Sequence, residues 1–248
     1  MSKKQRIKVQ NQTIDFIKKN KEKFKSKIIK YDNYSPKINI GPKFKTKIQV
    51  VPLDTLEAAI NVNNINNTKT GFLVFANSSN PGGRYKEGTP AQEENICRRT
   101  NLVQCFNNMK YPIPEFGSFY IKNLVILRDT EANNYKFLSK FYNMDCILSA
   151  AYHSPSINNI NQLCEGFREK TRIKIISILN AFLNNGVYNI ILGAFGCGAF
   201  NNPVSDISEI FHEIFQSNSY KDRFNTVTFA ILKNVGINNY NIFLEKFR

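Results

Sequence analysis

The sequence predicts an α/β fold in which a mixed β-sheet lies between two layers of helices, with accessory helices at the N-terminus. Short apolar runs typical of buried strands alternate with longer segments of helical periodicity along most of the chain. Two of the apolar runs end in glycine-rich loops. Both loops are therefore expected at the carboxyl ends of strands, where sheets of this class bind their ligands.

Length and composition indicate a globular protein with an anionic partner. The chain has 248 residues, 42% of them hydrophobic, and a net charge of +15. That length can bury a large core in one α/β domain or in two small ones. The positive charge favours nucleic acid, a membrane surface or a phosphate-rich polymer as a partner, and it does not choose among them. Abundant lysine along the whole chain also accounts for part of it.

The cysteines and histidines indicate a reducing compartment and no metal site. Five cysteines are widely spaced and odd in number, which favours free thiols over disulfides. We therefore expect an intracellular protein of the cytoplasm or nucleus. There is no Cys-x-x-Cys pair and there are only two histidines, so we expect no zinc. No apolar run reaches the length of a membrane span, and we expect no membrane partner.

The N-terminal part differs in composition from the rest. Residues 1–44 are predicted to form a basic helical accessory segment, with one or two amphipathic helices in residues 2–30 and a connector at 31–46. A lysine-rich helix can contact nucleic acid or membrane, although a solvated basic face is more common. Residues 45–248 are predicted to form the main domain.

Strands and helices of the main domain follow from periodicity and end signals. Asp54 is a predicted helix cap. One apolar segment, 117–128, contains a strand and forms a hairpin if Lys122-Asn123 turns the chain. Gly186 stops the long helix that precedes the second glycine-rich loop. Strands are predicted at residues 47–51, 71–76, 145–151, 188–192 and 226–232, and helices at 54–66, 90–109, 161–185, 203–216 and 238–247.

The first glycine-rich loop joins the strand at 71–76 to the helix at 90–109. Its Pro81-Gly82-Gly83 turn allows the backbone to approach a ligand closely. Thr89 and Gln92 form a capping-box pattern, which predicts that the helix begins at Pro90. Glu93 and Glu94 then lie in its second turn, about 100° apart around the axis, so one can enter a cleft while the other lines the rim. Alternatively, the loop is only a turn and the acids only complement the helix dipole.

The second glycine-rich loop follows the strand at 188–192. Closely spaced glycines precede a helix for which Asn202 is the predicted cap and Pro203 the first residue. Exposed backbone amides beside a helix N-terminus are suited to a diphosphate. The spacing fits neither a dinucleotide-binding fingerprint nor a nucleoside-triphosphate loop. Cys197 has no histidine at a recognisable spacing, which argues against a thiol nucleophile.

These motifs together resemble the microbial-type poly(ADP-ribose) glycohydrolases, which are macrodomain enzymes. The family signature is a glycine triplet followed at short spacing by Gln-Glu-Glu, and the second loop of this chain also matches the family's phosphate loop. The resemblance covers roughly residues 45–232 and implies a macrodomain-like fold. Arg84 replaces the third glycine, and it either points away from the ligand or adds a cation there. The matching strings are Phe75-Ala76-Asn77, Asn80-Pro81-Gly82-Gly83, Ala91-Gln92-Glu93-Glu94, Cys97-Arg98-Arg99-Thr100-Asn101-Leu102 and Gly193-Ala194-Phe195-Gly196-Cys197-Gly198-Ala199-Phe200.

The resemblance implies hydrolysis of the ribose–ribose O-glycosidic bond of poly(ADP-ribose), with release of ADP-ribose and without metal or cofactor. Glu94 would protonate the leaving oxygen and then activate water, and Glu93 would orient the ribose hydroxyls. The two glycine loops would bind the diphosphate, while Asn77 and Asn80 would contact the distal ribose or its water. The ligand-binding residues implied are Asn77, Asn80, Gly82, Gly83, Gln92, Gly196, Cys197, Gly198, Ala199 and Phe200.

Three other functions stay open from the sequence. The same residues could remove single ADP-ribose units from proteins, or the domain could bind ADP-ribose without turnover. The intact Gln-Glu-Glu argues against pure binding, because a binding module has no need of an acid at the scissile bond. An RNA-binding protein is not favoured, since the chain lacks an RNP-type aromatic motif and a Gly-x-x-Gly loop with basic flanks. The expected partners are poly(ADP-ribose) or ADP-ribosylated protein, with ADP-ribose as the product; direct nucleic-acid binding is possible but not favoured.

Overall fold

One mixed sheet of seven strands forms the centre of the computed structural model, which describes residues 1–33, 41–66, 68–233 and 238–248. The strands are β1 (Lys27–Tyr31), β2 (Lys47–Val51), β3 (Thr70–Phe75), β4 (Ser118–Arg128), β5 (Phe137–Ser149), β6 (Asn189–Leu192) and β7 (Thr226–Ala230). Their order across the sheet is β1-β4-β5-β3-β6-β7-β2. From β5 to β2 all neighbours are parallel, whereas β4 is antiparallel to both β1 and β5.

Helices cover both faces of this sheet. They are α1 (Lys3–Lys19), α2 (Thr55–Asn66), α3 (Gln92–Arg99), α4 (Leu102–Cys105), α5 (Glu165–Asn184), α6 (Val204–Gln216) and α7 (Asn239–Lys246). On β3, Phe72 and Val74 pack with α2, α3 and α4, while Leu73 points to the opposite face and packs with the cluster of α5, α6 and α7. Because alternate residues of a strand face opposite sides, the central strand is buried on both. The predicted mixed sheet between helical layers is confirmed.

Local signals located most of the elements correctly. Strand β2 has the predicted bounds, and the predictions at 188–192 and 226–232 contain β6 and β7. The prediction at 71–76 is shifted by one residue from β3, and that at 145–151 covers only the end of β5. Asp54 caps α2 as predicted, because its Oδ1 accepts the N–H groups of Leu56 at 2.8 Å and Glu57 at 2.9 Å. Gly186 follows α5 with φ +65°, the left-handed conformation expected at a helix end.

The predicted helix at 90–109 is wrong at both ends. It begins at Gln92 rather than Pro90, with Ala91 at the cap position and no side-chain cap, so the two acids lie in the first turn. It ends at Arg99, because Thr100 is extended and pairs with Ile126 of β4. The chain then forms the short helix α4. Pairing with β4 therefore divides a segment whose apolar spacing favours one helix.

Three further predictions are corrected. The segment 117–128 contains one strand, β4, instead of a hairpin: Asn123, with φ +57°, lies at a bulge against β5. Asn202 does not cap α6, since Pro203 holds the cap position and no side chain bonds there. The helical prediction for residues 2–30 fails after α1, because Lys27–Tyr31 is the edge strand β1. The predicted connector at 31–46 includes residues 34–40, which lie outside the described residues.

Two general features bear on function. Within the described ranges, no helix combines the length and apolar character that a bilayer span requires. All five cysteines are free thiols.

Candidate active site

The first glycine-rich loop folds around the carboxylate of Glu93. This side chain is 3% exposed, and each of its oxygens accepts a backbone N–H from the loop. The Asn77 N–H donates to Oε2 at 2.8 Å, and the Gly82 N–H donates to Oε1 at 3.0 Å. Glu93 therefore ties the start of the loop, just after β3, to its glycine turn.

Glu94 is held from one side only. Its side chain is 6% exposed, and Oε1 accepts the backbone N–H of Arg84 at 2.9 Å. No described residue forms a hydrogen bond with the other oxygen, Oε2. Both acids lie in the first turn of α3, where a helix N-terminus favours negative charge. Of the two buried carboxylates, Glu94 is thus the one with an oxygen left for a ligand.

The two glycines of the turn are required by this arrangement. Gly82 and Gly83 have φ of +74° and +56°, which side chains rarely adopt. A Cβ on Gly83 would lie 2.6 Å from Glu94 Oε1 and 3.2 Å from Glu93 Oε2. A Cβ on Gly82 would lie 2.7 Å from the ring of Phe106. The loop can approach the carboxylates only because neither residue has a side chain.

The N–H groups of the same two glycines already have partners. Gly82 donates to Glu93, and Gly83 donates to the carbonyl of Asn80 at 2.9 Å. Asn77 Oδ1 accepts the N–H groups of Ser79 and Asn80, which closes the start of the loop. Both glycines therefore lie against the acids, and their N–H groups are not free for a diphosphate.

Burial changes the protonation of Glu93. It raises the pKa of Glu93 from its ordinary value of 4.5 to about 8, because a charged carboxylate is costly away from water. The Asn77 and Gly82 N–H groups lower the pKa of Glu93, and the charge of Glu94 raises it further. Near neutral pH, Glu93 therefore holds a proton in a large share of molecules.

The Gln92 side chain positions α3 through hydrogen bonds to neighbouring elements. Its Oε1 accepts the N–H of Phe75 at 2.8 Å, and its Nε2 donates to the carbonyl of Leu73 at 2.9 Å and to Thr55 Oγ1 at 3.1 Å. These three bonds join the first residue of α3 to the end of β3 and to α2. They fix where the two acids project.

The side chain of Arg84 points away from the acids. It is 71% exposed and forms an ion pair with Glu87, with its Nη2 2.6 Å from Oε2. Only its backbone N–H contacts Glu94. Of the two orientations that the sequence left open for this residue, the structure has the outward one.

The second glycine-rich loop presents free backbone N–H groups. Among the described residues, none accepts a hydrogen bond from the N–H of Gly198, Ala199 or Phe200. A Cβ on Gly198 would meet nothing within 4 Å, so this part of the loop faces open space. Such consecutive amides suit an anion.

Asn202 holds that loop in shape. Its Nδ2 lies within hydrogen-bond distance of the carbonyls of Tyr152 at 2.7 Å, Phe200 at 3.0 Å and Gly196 at 3.1 Å. Gly196 has φ +78°, and a Cβ there would lie 2.6 Å from both Ala151 Cβ and Asn202 Nδ2. The residue expected to cap α6 is therefore the internal support of the loop.

Cys197 and Phe200 have contrasting surroundings. Burial raises the pKa of the Cys197 thiol, which therefore stays protonated and is not an activated nucleophile. The half-buried ring of Phe200 lies 5.2 Å from that of His153, centroid to centroid. That pair forms one wall beside the free amides.

The two loops meet because β3 and β6 are neighbours in the sheet. The rings of Phe75 and Phe195, at or just beyond the ends of these strands, are 5.9 Å apart. The Ala76 N–H donates to the carbonyl of Ser149 at 3.0 Å, which brings the end of β5 to the same edge. Acids and free amides thus lie at one edge of the sheet, as the sequence predicted.

Sequence reasoning missed the contribution of α1. Gln10 Nε2 donates to the carbonyl of Cys97 at 3.3 Å, and Thr13 Oγ1 donates to that of Arg98 at 2.8 Å. Both side chains are fully buried. They satisfy carbonyls in the last turn of α3, which would otherwise lack partners. No local signal in the sequence links these segments, which are more than 80 residues apart.

Other polar groupings do not resemble a reaction centre. Depressions beside α6 are lined by Asp206 and Glu209, but these acids accept the Leu163 N–H and pair with Lys246, respectively. Within the described part of the chain, no three His, Cys, Asp or Glu side chains are placed to hold a metal ion.

Comparisons with known proteins identify a family and a shared fold. The model of the family described as microbial-type PARG, catalytic domain, matches residues 1–162. Among solved structures, poly(ADP-ribose) glycohydrolase from Thermomonospora curvata has 20% identity and a TM-score of 0.81 over 98% of this chain and 99% of that chain. The enzyme from Deinococcus radiodurans in complex with ADP-ribose has 23% identity and a TM-score of 0.66 over 83% and 84%. No curated protein matches the sequence.

Proposed function

Because this chain belongs to the microbial-type PARG catalytic domain family, whose members hydrolyse the glycosidic bonds of poly(ADP-ribose), we propose that Glu94 is its catalytic acid and base. One observation favours Glu94 over its neighbour. Both oxygens of Glu93 accept loop N–H groups, whereas Oε2 of Glu94 has no partner among the described residues. An acid that transfers a proton to substrate needs such a free oxygen.

The reaction requires one carboxyl group in two states. Cleavage of the ribose–ribose bond passes through an oxocarbenium-like state, and the leaving oxygen must be protonated as the bond breaks. Glu94 would give that proton from Oε2 and then, as a carboxylate, take one from the attacking water. The Arg84 N–H on Oε1 keeps the group oriented through both steps. No metal takes part in this scheme.

Glu93 is proposed to orient the ribose. A carboxyl oxygen can accept more than one hydrogen bond, so Glu93 can contact ribose hydroxyls while it holds the loop. Its raised pKa also reduces repulsion between the two acids near neutral pH. Asn77 and Asn80, at the start of the same loop, are proposed to contact the distal ribose or its water.

The second loop is proposed to bind the diphosphate of ADP-ribose. The free N–H groups of Gly198, Ala199 and Phe200 supply donors without a charged side chain. Phe200 would flank the ribose or the adenine. Gly82 and Gly83, whose N–H groups are occupied, would instead give the cleft its shape.

A side-by-side assay tests this proposal. The protein is incubated with poly(ADP-ribose) and, separately, with mono-ADP-ribosylated protein, and the released ADP-ribose is measured. We expect release from the polymer, and a loss on the order of a hundred-fold or more in Glu94→Gln, which keeps the shape but lacks the proton. Comparable turnover in Glu94→Gln would refute the assignment.

Two other outcomes would support the remaining candidates. Release from single-unit conjugates alone would make the chain a mono-ADP-ribosyl hydrolase. Binding of ADP-ribose without release from either substrate would make it a non-catalytic ADP-ribose-binding domain. Glu93→Gln separates the roles of the two acids, because it should weaken ADP-ribose binding more than Glu94→Gln does and reduce turnover less.

A further inference from the structure

Arg84 places an exposed cation next to the proposed acid. Its backbone N–H donates to Glu94 Oε1 at 2.9 Å, while its side chain is 71% exposed. Both Nε and Nη2 bond to the same oxygen of Glu87, at 2.9 and 2.6 Å, and Glu87 is itself 48% exposed. An ion pair this open to water is weak and readily exchanged for another anion.

More exposed cations lie in the turn that follows Arg84 and on the helix that packs against it. Lys86 is exposed in the next turn, and α1 packs against this turn with Lys3 and Lys4 exposed at its start. Helix α1 approaches this turn closely, since a Cβ on Gly88 would lie 2.6 Å from the carbonyl oxygen of Lys3. Among the described residues, no carboxylate lies within ion-pair distance of these three lysines.

From this arrangement we propose that Arg84, Lys86, Lys3 and Lys4 form a phosphate-binding surface for the part of the polymer beyond the unit held in the cleft. The inference rests on the proposed function, because it assigns a second contact to the same substrate. The surface would take the diphosphate of an adjoining ADP-ribose unit. Arg84 contributes most, since its planar guanidinium can hold a phosphate by two parallel hydrogen bonds.

The location of the cations favours this occupant. A single ADP-ribose unit has one diphosphate, for which the free amides of the second loop are proposed. A polymer brings further diphosphates, and these must lie outside that loop. Of these four cations only Arg84 has a carboxylate partner among the described residues, the exposed Glu87, so positive charge remains to complement a diphosphate. The backbone bond from Arg84 to Glu94 fixes the surface beside the scissile bond.

The test measures binding rather than turnover, in the Glu94→Gln background so that the polymer stays intact. Dissociation constants are determined for intact poly(ADP-ribose) and for ADP-ribose, and their ratio cancels any general disturbance of the cleft. We expect Arg84→Ala to weaken polymer binding relative to ADP-ribose binding by roughly five- to ten-fold, as for loss of one charge-assisted contact at an exposed position. Arg84→Lys should weaken polymer binding by an intermediate factor, because lysine keeps the positive charge but lacks the planar guanidinium that forms two parallel hydrogen bonds.

Arg172→Ala is the matched control. It also removes one cation from a surface ion pair, because Arg172 on α5 lies 3.1 Å from Glu213 on α6. This pair belongs to a different surface from Arg84. An unchanged ratio in Arg84→Ala, or an equal change in Arg172→Ala, would overturn the proposal. Equal competition by single-stranded RNA with the same number of phosphates would also overturn it, since the surface would then be a general polyanion site. If the wild type released no ADP-ribose while the ratio still changed, the catalytic proposal would fail and the phosphate surface would stand.

Discussion

Gly83→Ala should disable catalysis while leaving the protein folded. A Cβ at this position would lie 2.6 Å from Glu94 Oε1, whereas ordinary contacts begin at 3.4 Å. The carboxylate oxygen or the loop must therefore move by about 0.8 Å, the difference between these two distances. Because this oxygen also accepts the Arg84 N–H, the movement breaks or bends the bond that orients the acid.

The expected magnitudes follow from that displacement. A misplacement of about 1 Å in a reacting group can cost on the order of a hundred-fold in rate, so we expect kcat to fall by roughly ten- to a hundred-fold. The φ of +56° adds strain of about 1–2 kcal/mol for a residue with a side chain. In a chain of this size that corresponds to a Tm decrease of roughly 2–8 °C.

Gly186→Ala separates the two effects. Gly186 has φ +65°, close to that of Gly83, but a Cβ there would meet nothing within 4 Å and lies far from the acids along the chain. It should lower Tm by a similar amount and leave kcat unchanged. The measurements are kcat on poly(ADP-ribose) and a thermal melt for each variant. A Gly83→Ala protein with wild-type kcat, or a matching loss of kcat in Gly186→Ala, would refute this reasoning.

Three further predictions concern single residues. Gly198→Val should weaken ADP-ribose binding strongly in calorimetry with an unchanged melt, since its side chain would enter the open space before the free amides; unchanged affinity would remove the diphosphate from this loop. Cys197→Ala should retain turnover in the polymer assay, because burial keeps its thiol protonated, and loss of activity would indicate a thiol nucleophile. Because the pKa of Glu93 is raised on folding, its contribution to stability is fully present below pH 4.5 and is lost as the pH rises towards about 8. The free energy of unfolding of the wild type should fall by up to about 1.4 kcal/mol per pH unit in that window, and that of Glu93→Gln should not show this decrease.

Where a local pattern determines the structure, the sequence was sufficient. Alternating and continuous apolar runs located most of the strands, though not the edge strand β1, because burial on one or both faces of a sheet imposes those patterns. The glycines of both loops marked the site, since Gly82, Gly83 and Gly196 have left-handed φ values that residues with side chains rarely adopt. The residues that meet at this edge of the sheet could therefore be predicted from these patterns alone.

Where distant groups compete for the same atoms, the sequence was insufficient. Gln92 has the spacing of a capping box, but its amide bonds to the backbone of β3 and to Thr55 instead. Asn123 suits a turn or a bulge equally well, and pairing with β5 selects the bulge. Thr13 supports α3 through a contact between residues 85 positions apart, and such a contact produces no periodic pattern in the sequence of either segment.

The support of the second loop by Asn202 also has a consequence for chemical ageing. Asparagine side chains deamidate when the backbone nitrogen of the following residue attacks their amide carbon and ammonia leaves. Conversion of Asn202 to aspartate would replace its N–H donors with an acceptor that faces three carbonyl oxygens. The following residue is Pro203, whose backbone nitrogen bears no hydrogen and cannot close the cyclic imide. The proline thus protects the loop's central amide from the commonest route of asparagine decay.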